Sequence, residues 1–250
     1  MNSYSDLAFV LHTLAWRETS LIVEVFTRSH GRLGLVAKGA RRPRSALRGL
    51  LQPFQPLELR WTGKSELRNL IAAEWMGGLA PLTGSAIMPG FYINELMVRL
   101  IPRDDAHPVL FDDYLATLGL LARSAGTERE LTEPILRRFE CNLLREMGYA
   151  PHFDHETAAG GAAIEPSGRY HVDPLTGIHR IKDSDGEDAF HGTTLLALAS
   201  AGTSIEDAVH ALESAQTASE SKRLLRMLLG HHLGEEGLHS REVMRELVRI

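Results

Sequence analysis

A change of hydrophobic period near residue 77 divides this chain into two kinds of structure. Before it, apolar residues alternate or run in short β-branched and aromatic stretches; after Gly77-Gly78 and Pro81 they recur every three and four positions. Leu7-Ala8-Phe9-Val10-Leu11 and Ser20-Leu21-Ile22-Val23-Glu24-Val25-Phe26 have strand composition. Ser29-His30-Gly31 turns the chain into Arg32-Leu33-Gly34-Leu35-Val36-Ala37, completing a hairpin. Leu57-Glu58-Leu59-Arg60-Trp61 alternates apolar with charged, the signature of a half-buried strand, and Thr62-Gly63-Lys64-Ser65 turns it into a fifth run from Leu67 to Trp75. Five such strands in about 75 residues predict a small closed barrel of the OB type, with an SH3-like barrel as the competing reading.

Beyond Pro81 the pattern is helical. Leu96, Leu100, Leu110, Phe111, Tyr114, Leu115, Leu118 and Leu121 fall on one period. A helix over 133–147 is marked by Pro134 in its first turn and Gly148 just past its end. Residues 150–190 break the rhythm, with a glycine- and alanine-rich loop at 158–163 and a hairpin around Asp173-Pro174-Leu175-Thr176-Gly177. Helices return over 193–201, 205–214, 218–230 and 241–247. The expected fold is α+β: an OB-type barrel over 1–79, then a mainly helical domain over 80–250 with an inserted element at about 150–190. The N-terminus lacks a basic region followed by an apolar stretch, and no stretch has the length and apolarity of a membrane span, so neither a secretory leader nor a transmembrane segment is expected.

Charge divides along the same line. The formal net charge is −5, but residues 1–80 hold 11 Lys and Arg against 6 Asp and Glu, whereas the remainder holds 16 against 26. Between Glu24 and Glu58 there is no acid, yet there are seven basic residues: Arg28, Arg32, Lys38, Arg41, Arg42, Arg44 and Arg48. Five lie within residues 38–48, where Gly39 and Pro43 prevent a continuous helix. An ordinary solvated loop mixes both signs, so this one reads as a polyanion contact. Arg32, Lys38, Arg41, Arg42, Arg44 and Arg48 are the candidate residues for that polyanion contact. Lys222, Arg223 and Arg226, in one sector of a predicted helix, are a second candidate cationic site; pairing with Glu220 and other nearby acids is the alternative there.

Catalytic and cofactor signatures are weak. Gly63-Lys64-Ser65 resembles the tail of a phosphate-binding loop, but Glu58 stands where that motif needs glycine. There is no dinucleotide-binding glycine pattern after a strand and no nucleophile elbow. The single cysteine, Cys141, excludes an intramolecular disulfide and a cysteine-built zinc cage, and its helical position suits a packed, inert thiol. His152, Asp154, His155 and Glu156, with His171 and His179, are candidate ligands or acid–base groups for a metal-dependent hydrolase, set against ordinary loop histidines. The chain is read as non-enzymatic, with no cofactor and no metal.

Several segments together resemble a known family. Phe9-Val10-Leu11-His12, Trp16-Arg17-Glu18-Thr19-Ser20 and Leu35-Val36-Ala37-Lys38-Gly39-Ala40-Arg41 are followed by Leu51-Gln52-Pro53-Phe54 and Tyr92-Ile93-Asn94-Glu95-Leu96. Leu136-Arg137-Arg138-Phe139-Glu140 and Ser240-Arg241-Glu242 complete the order. In that order they resemble the RecO family of bacterial recombination mediators, most closely its proteobacterial members. The resemblance implies an OB-type barrel, a helical domain, and DNA repair by the RecFOR route in the cytoplasm, associated with the nucleoid. It implies binding of single- and double-stranded DNA, annealing of complementary strands, association with RecR, contact with the acidic tail of the single-stranded-DNA-binding protein SSB, and indirectly the loading of RecA. The tail-binding residues implied are Arg137, Leu136 and Phe139, with Arg137 receiving the carboxylate. Many family members carry two Cys-x-x-Cys zinc pairs in the insertion; this chain has none there. A protein-interaction adaptor, with DNA contact secondary, is the alternative function.

Overall fold

The computed structural model describes residues 3–125, 131–157, 161–181, 188–201, 204–212, 214–234, 237–240 and 242–243. Its contacts define two compact units, Met1–Glu128 with Leu238–Ile250 and Arg129–Gly237. The division therefore falls some fifty residues beyond the change of hydrophobic period.

The first unit is built on a closed barrel. Its strands are β1 (Ser3–Trp16), β2 (Ser20–Thr27), β3 (Gly31–Ala37), β4 (Leu57–Thr62) and β5 (Leu67–Trp75), in the order β1-β2-β3-β5-β4. Closure by β1 on β4, with β3 parallel to β5, makes it OB-type rather than SH3-like. Ala8, Val10, Val23, Val25, Leu33, Leu35, Leu57, Leu59 and Trp61 fill the interior. Phe9 and Phe26, the alternate residues, are equally buried because they face outward onto Phe111 and Tyr114 of α3 (Pro108–Ser124). The unbroken apolar run in β1 is thus a strand covered on both faces. That covering explains why α2 (Ile87–Leu100) and α3 belong to the barrel's unit, whatever the period of their own sequence.

β1 serves two neighbours: Ser3 to Ala8 pair with β4, and Ala8 to Trp16 with β2, with a register shift between Val10 and His12. The Leu11 carbonyl at this bulge accepts a hydrogen bond from Asn94 Nδ2 (3.0 Å), and Asn94 Oδ1 accepts one from the Tyr114 hydroxyl (2.5 Å), all in a buried setting. Burial also pushes the Tyr114 phenol upward from its ordinary pKa. The next residue, Glu95, accepts from the backbone N–H groups of His239 (2.8 Å) and Ser240 (2.9 Å) and from the Ser240 hydroxyl (2.6 Å). After α2 the chain crosses β3 so closely that a Cβ on Gly31, at φ +70°, would lie 1.8 Å from the Asp105 carbonyl oxygen. No other residue type fits there.

The second unit contains α4 (Thr132–Glu146), α5 (Gly192–Ala201), α6 (Ile205–Ala211) and α7 (Ala215–Leu233), with α4 packed against the other three. Ser204 and Ser214 cap α6 and α7 by accepting from the backbone N–H three residues on. The insertion forms a three-stranded sheet ordered β7 (Gly177–Arg180), β6 (Arg169–Asp173), β8 (Phe190–His191). Its hairpin is held by hydrogen bonds: the Asp173 carboxylate accepts from the Leu175 and Thr176 N–H groups, and the Thr157 hydroxyl accepts from Ile178 N–H. Among the described residues no three His, Cys, Asp or Glu side chains are grouped to hold a metal, so the donor set does not fit the zinc that many members of the family it resembles carry there. The predicted helix at 241–247 lies largely outside the described residues, as do residues 158–160 of the loop expected at 158–163.

The Glu95 contacts give a pH test. Hydrogen bonds from Ser240 and His239 depress the Glu95 carboxyl below its ordinary value against the opposing effect of burial. A depressed folded-state pKa stabilises fully above the unfolded value of about 4.3 and is lost as pH falls through the folded one. Glu95→Gln is therefore expected to lower urea stability by about 1–3 kcal/mol at neutral pH. The gap from the native chain should close as the solution is acidified below that range; a gap independent of pH would show that the charge is not what stabilises this contact.

Candidate nucleic-acid interface

The loop between β3 and β4 is basic outside and apolar beneath. Lys38, Arg41, Arg42, Arg44 and Arg48 are exposed, whereas Ala40 and Leu51 are buried in the barrel cluster and Leu47 packs against it. Turn hydrogen bonds from Arg42 N–H to the Gly39 carbonyl (3.1 Å) and from Ser45 N–H to the Arg42 carbonyl (3.0 Å) lead into a single helical turn, α1 (Leu47–Leu50). Gly39, at φ +70°, starts this course with the Arg42 side chain lying beside it. The loop is tied to the β1–β2 turn by a hydrogen bond from Arg41 N–H to the Thr19 carbonyl (2.9 Å).

That tie brings in residues the sequence reading did not select. Trp16 is 39% exposed, and the Arg17 guanidinium lies 6.0 Å from its ring centroid. Cross-strand pairing places Leu14 opposite Ile22 and Ile22 opposite Val36, making an outward apolar row beside Trp16, with Leu14 56% exposed. Phe54 and Trp61, two further aromatics of the barrel sequence, do not share this role. Trp61 is a barrel-core residue, and Phe54 packs edge-on against Phe91 at 5.0 Å.

Arg32 does not join the exposed cations. Its Nη1 lies 3.1 Å from Glu24 Oε2 and its Nε donates to the Ile101 carbonyl at 2.8 Å, while Arg103 pairs with the other Glu24 oxygen. Burial, ahead of the opposing pull of Glu24, lowers the Arg32 pKa from its ordinary value. The one carboxylate inside β2 is thereby neutralised by two guanidinium groups. Arg28, also in the acid-free stretch, is engaged with Asp112 at 2.7 Å.

In the second unit the expected sites are largely committed to the fold. Lys222 pairs with Glu133 on α4 at 2.5 Å rather than with Glu220, whose carboxylate instead holds His191 and Thr194. Arg223 donates to the Ala189 carbonyl (2.8 Å) and lies 4.2 Å from the Phe190 ring centroid. Arg226 is exposed and contributes, after burial, Lys222 and Arg137, to the balance that depresses the Glu133 carboxyl. The three cations therefore do not present one common surface.

The expected tail pocket is a correction. Arg137 is 5% exposed and pairs with Glu140, which is fully buried, at 2.9 Å; Leu136 and Phe139 are core residues. The resemblance implies an accessible Arg137, but α4 packs against α5, α6 and α7 and the side chain is buried. Cys141 is buried, and burial pushes its thiol up to about 12, in keeping with an inert packing role. His155 pairs with Asp154 at 3.0 Å, within the insertion.

A closed OB-type barrel bearing an acid-free cationic loop, followed by a helical unit, defines a barrel-and-bundle class of protein. The chain matches the family models Recombination protein O N terminal over residues 1–79 and Recombination protein O C terminal over residues 82–242. It is 49% identical to the DNA repair protein RecO of Thiobacillus denitrificans, covering 98% of this chain and 93% of that one. It is 46% identical to the DNA repair protein RecO of Aromatoleum aromaticum, covering 97% and 95%. The chain belongs to the RecO family of DNA repair proteins.

The buried pair in α4 predicts a stability effect. Arg137→Ala removes the guanidinium that pairs with the fully buried Glu140 and is expected to destabilise by about 3–5 kcal/mol. Replacing both residues by apolar ones of similar volume should recover most of that loss in urea unfolding. A fully stable Arg137→Ala variant would show that the pair is not a structural one.

Proposed function

We propose that this chain is a non-enzymatic DNA-binding and annealing protein whose primary contact is the loop at 38–48 together with the β1–β2 turn. The observation that carries this is the set of five exposed cations, Lys38, Arg41, Arg42, Arg44 and Arg48, on a loop without an acid and anchored by Ala40 and Leu51. Phosphates of either a single or a double strand pair with such cations and release condensed counterions, without base sequence being read. Trp16 and the row Leu14, Ile22 and Val36 add an apolar surface on which unpaired bases stack. Glu18 is the one acid in these two segments.

Annealing then follows from neutralising two mutually repelling strands and needs no nucleotide hydrolysis. Family membership supports the wider setting of this reading: the RecFOR route in the cytoplasm, association with RecR, contact with SSB, and assistance to RecA. Among the described residues no helix is long and apolar enough to cross a membrane.

The experiment is a salt titration of binding with the full chain. About five phosphate contacts on a single strand give a slope of log K against log salt near −3.5, at roughly −0.7 for each. Arg41→Ala, Arg42→Ala and Arg44→Ala together should flatten it by about two. Trp16→Ala should weaken single-strand binding by about 1–3 kcal/mol while leaving duplex affinity and the slope unchanged. An unchanged slope in the triple variant would place the DNA contact elsewhere.

A further inference from the structure

The barrel has a second feature suited to nucleic acid, at the end away from the basic loop. The register places the start of β1 against the end of β4, so the β2–β3 and β4–β5 turns meet there, whereas the β1–β2 turn and Lys38 lie at the other end. Between these two turns is a cavity of about 270 Å³. Tyr4, His30 and Trp61 line it: the Tyr4 and Trp61 rings stack at 6.0 Å and 17°, and His30 meets them edge-on at 5.8 and 5.2 Å.

The polar groups around these rings are sorted by charge. Asp6 accepts from Leu7 N–H and Ser29 N–H and lies 3.0 Å from His30 Nδ1, so its carboxylate is used within the scaffold. Arg68 is neutralised by Asp104. Lys64, exposed on the β4–β5 turn, lines the cavity and makes no ion pair among the described residues. The result is an aromatic cavity with one uncompensated cation beside it.

The geometry points to a binding site for a single nucleotide unit of a DNA strand, its base against the partly exposed Tyr4 and His30, which the buried Trp61 backs from the core, and its phosphate on Lys64. This rests on the DNA-binding reading and extends it to a second contact point on the same barrel. The three rings distinguish the site from a simple anion hole, which needs only donors and cations. The unpaired lysine distinguishes it from an aromatic cage for a cationic ligand, which it would repel. The β4–β5 loop is also one of the two loops by which OB barrels hold oligonucleotides.

The test is a titration of the full, isotope-labelled chain with thymidine monophosphate in the millimolar range, following backbone amide signals. Shifts are expected at Ser29, Gly63 and Lys64, and Lys64→Glu should weaken them about tenfold, equivalent to about 1.4 kcal/mol. Inorganic phosphate alone should leave these amides little changed. Equal shifts with phosphate would reduce the site to an anion contact and overturn the proposal. Shifts from a carboxylate-ended acidic peptide, with none from the nucleotide, would overturn it in favour of a protein ligand. Shifts confined to residues 38–48 would remove this site while leaving the basic-loop reading intact; failure of that reading is seen separately, in the salt slope of the arginine variants.

Discussion

The hydrogen bond from Asn94 to the Leu11 carbonyl is the interaction on which the first unit turns. A five-stranded barrel closes only if β1 bends to serve both β2 and β4, and the bend is a bulge that takes Leu11 out of regular pairing. A buried carbonyl without a partner would cost about 1–3 kcal/mol, and Asn94 removes that penalty from within α2. Tyr114 occupies the other end of the same amide, so β1, α2 and α3 are fixed by one side chain. Glu95 extends this by holding the backbone of His239 and Ser240. With the barrel closed and braced in this way, the β1–β2 turn and the loop tied to it have a rigid base.

Partnering then sorts the arginines. Arg32 and Arg103 enclose Glu24, Arg137 holds Glu140, and Arg28 meets Asp112. These charges are balanced inside the protein and have little left to offer a polyanion. Arg41, Arg42, Arg44 and Arg48 stand on a loop whose apolar side is buried and whose outer side has no acid. Counting basic residues alone does not separate the two groups; the separation depends on where carboxylates from distant segments arrive.

That dependence explains what was legible in the sequence and what was not. The alternation in Leu57-Glu58-Leu59-Arg60-Trp61 and the turn at Gly63 are local, and β4 and β5 lie where they were expected. The Phe9 and Phe26 faces signal burial on both sides of the sheet, but not that helices to residue 124 cover them. Asn94 acts on a carbonyl 83 residues away and Glu95 on a backbone 145 away, distances over which no periodic pattern extends. The exposure of Trp16 follows from the register that sets it opposite Ser20, which the local pattern does not fix. The burial of Arg137 was not legible either, since a helix packed against three others buries charged positions that a helical pattern alone leaves open.

The central claim is that DNA lies on the barrel and that its phosphates are held by the β3–β4 loop. Photo-crosslinking of the full chain to a single-stranded oligonucleotide carrying thiothymidine, followed by peptide mapping by mass spectrometry, tests this most directly. The account predicts crosslinked peptides containing Trp16 and residues 38–48, lost in high salt as the phosphate contacts are screened. Crosslinks confined to residues 129–237, with the barrel peptides unmodified, would contradict it.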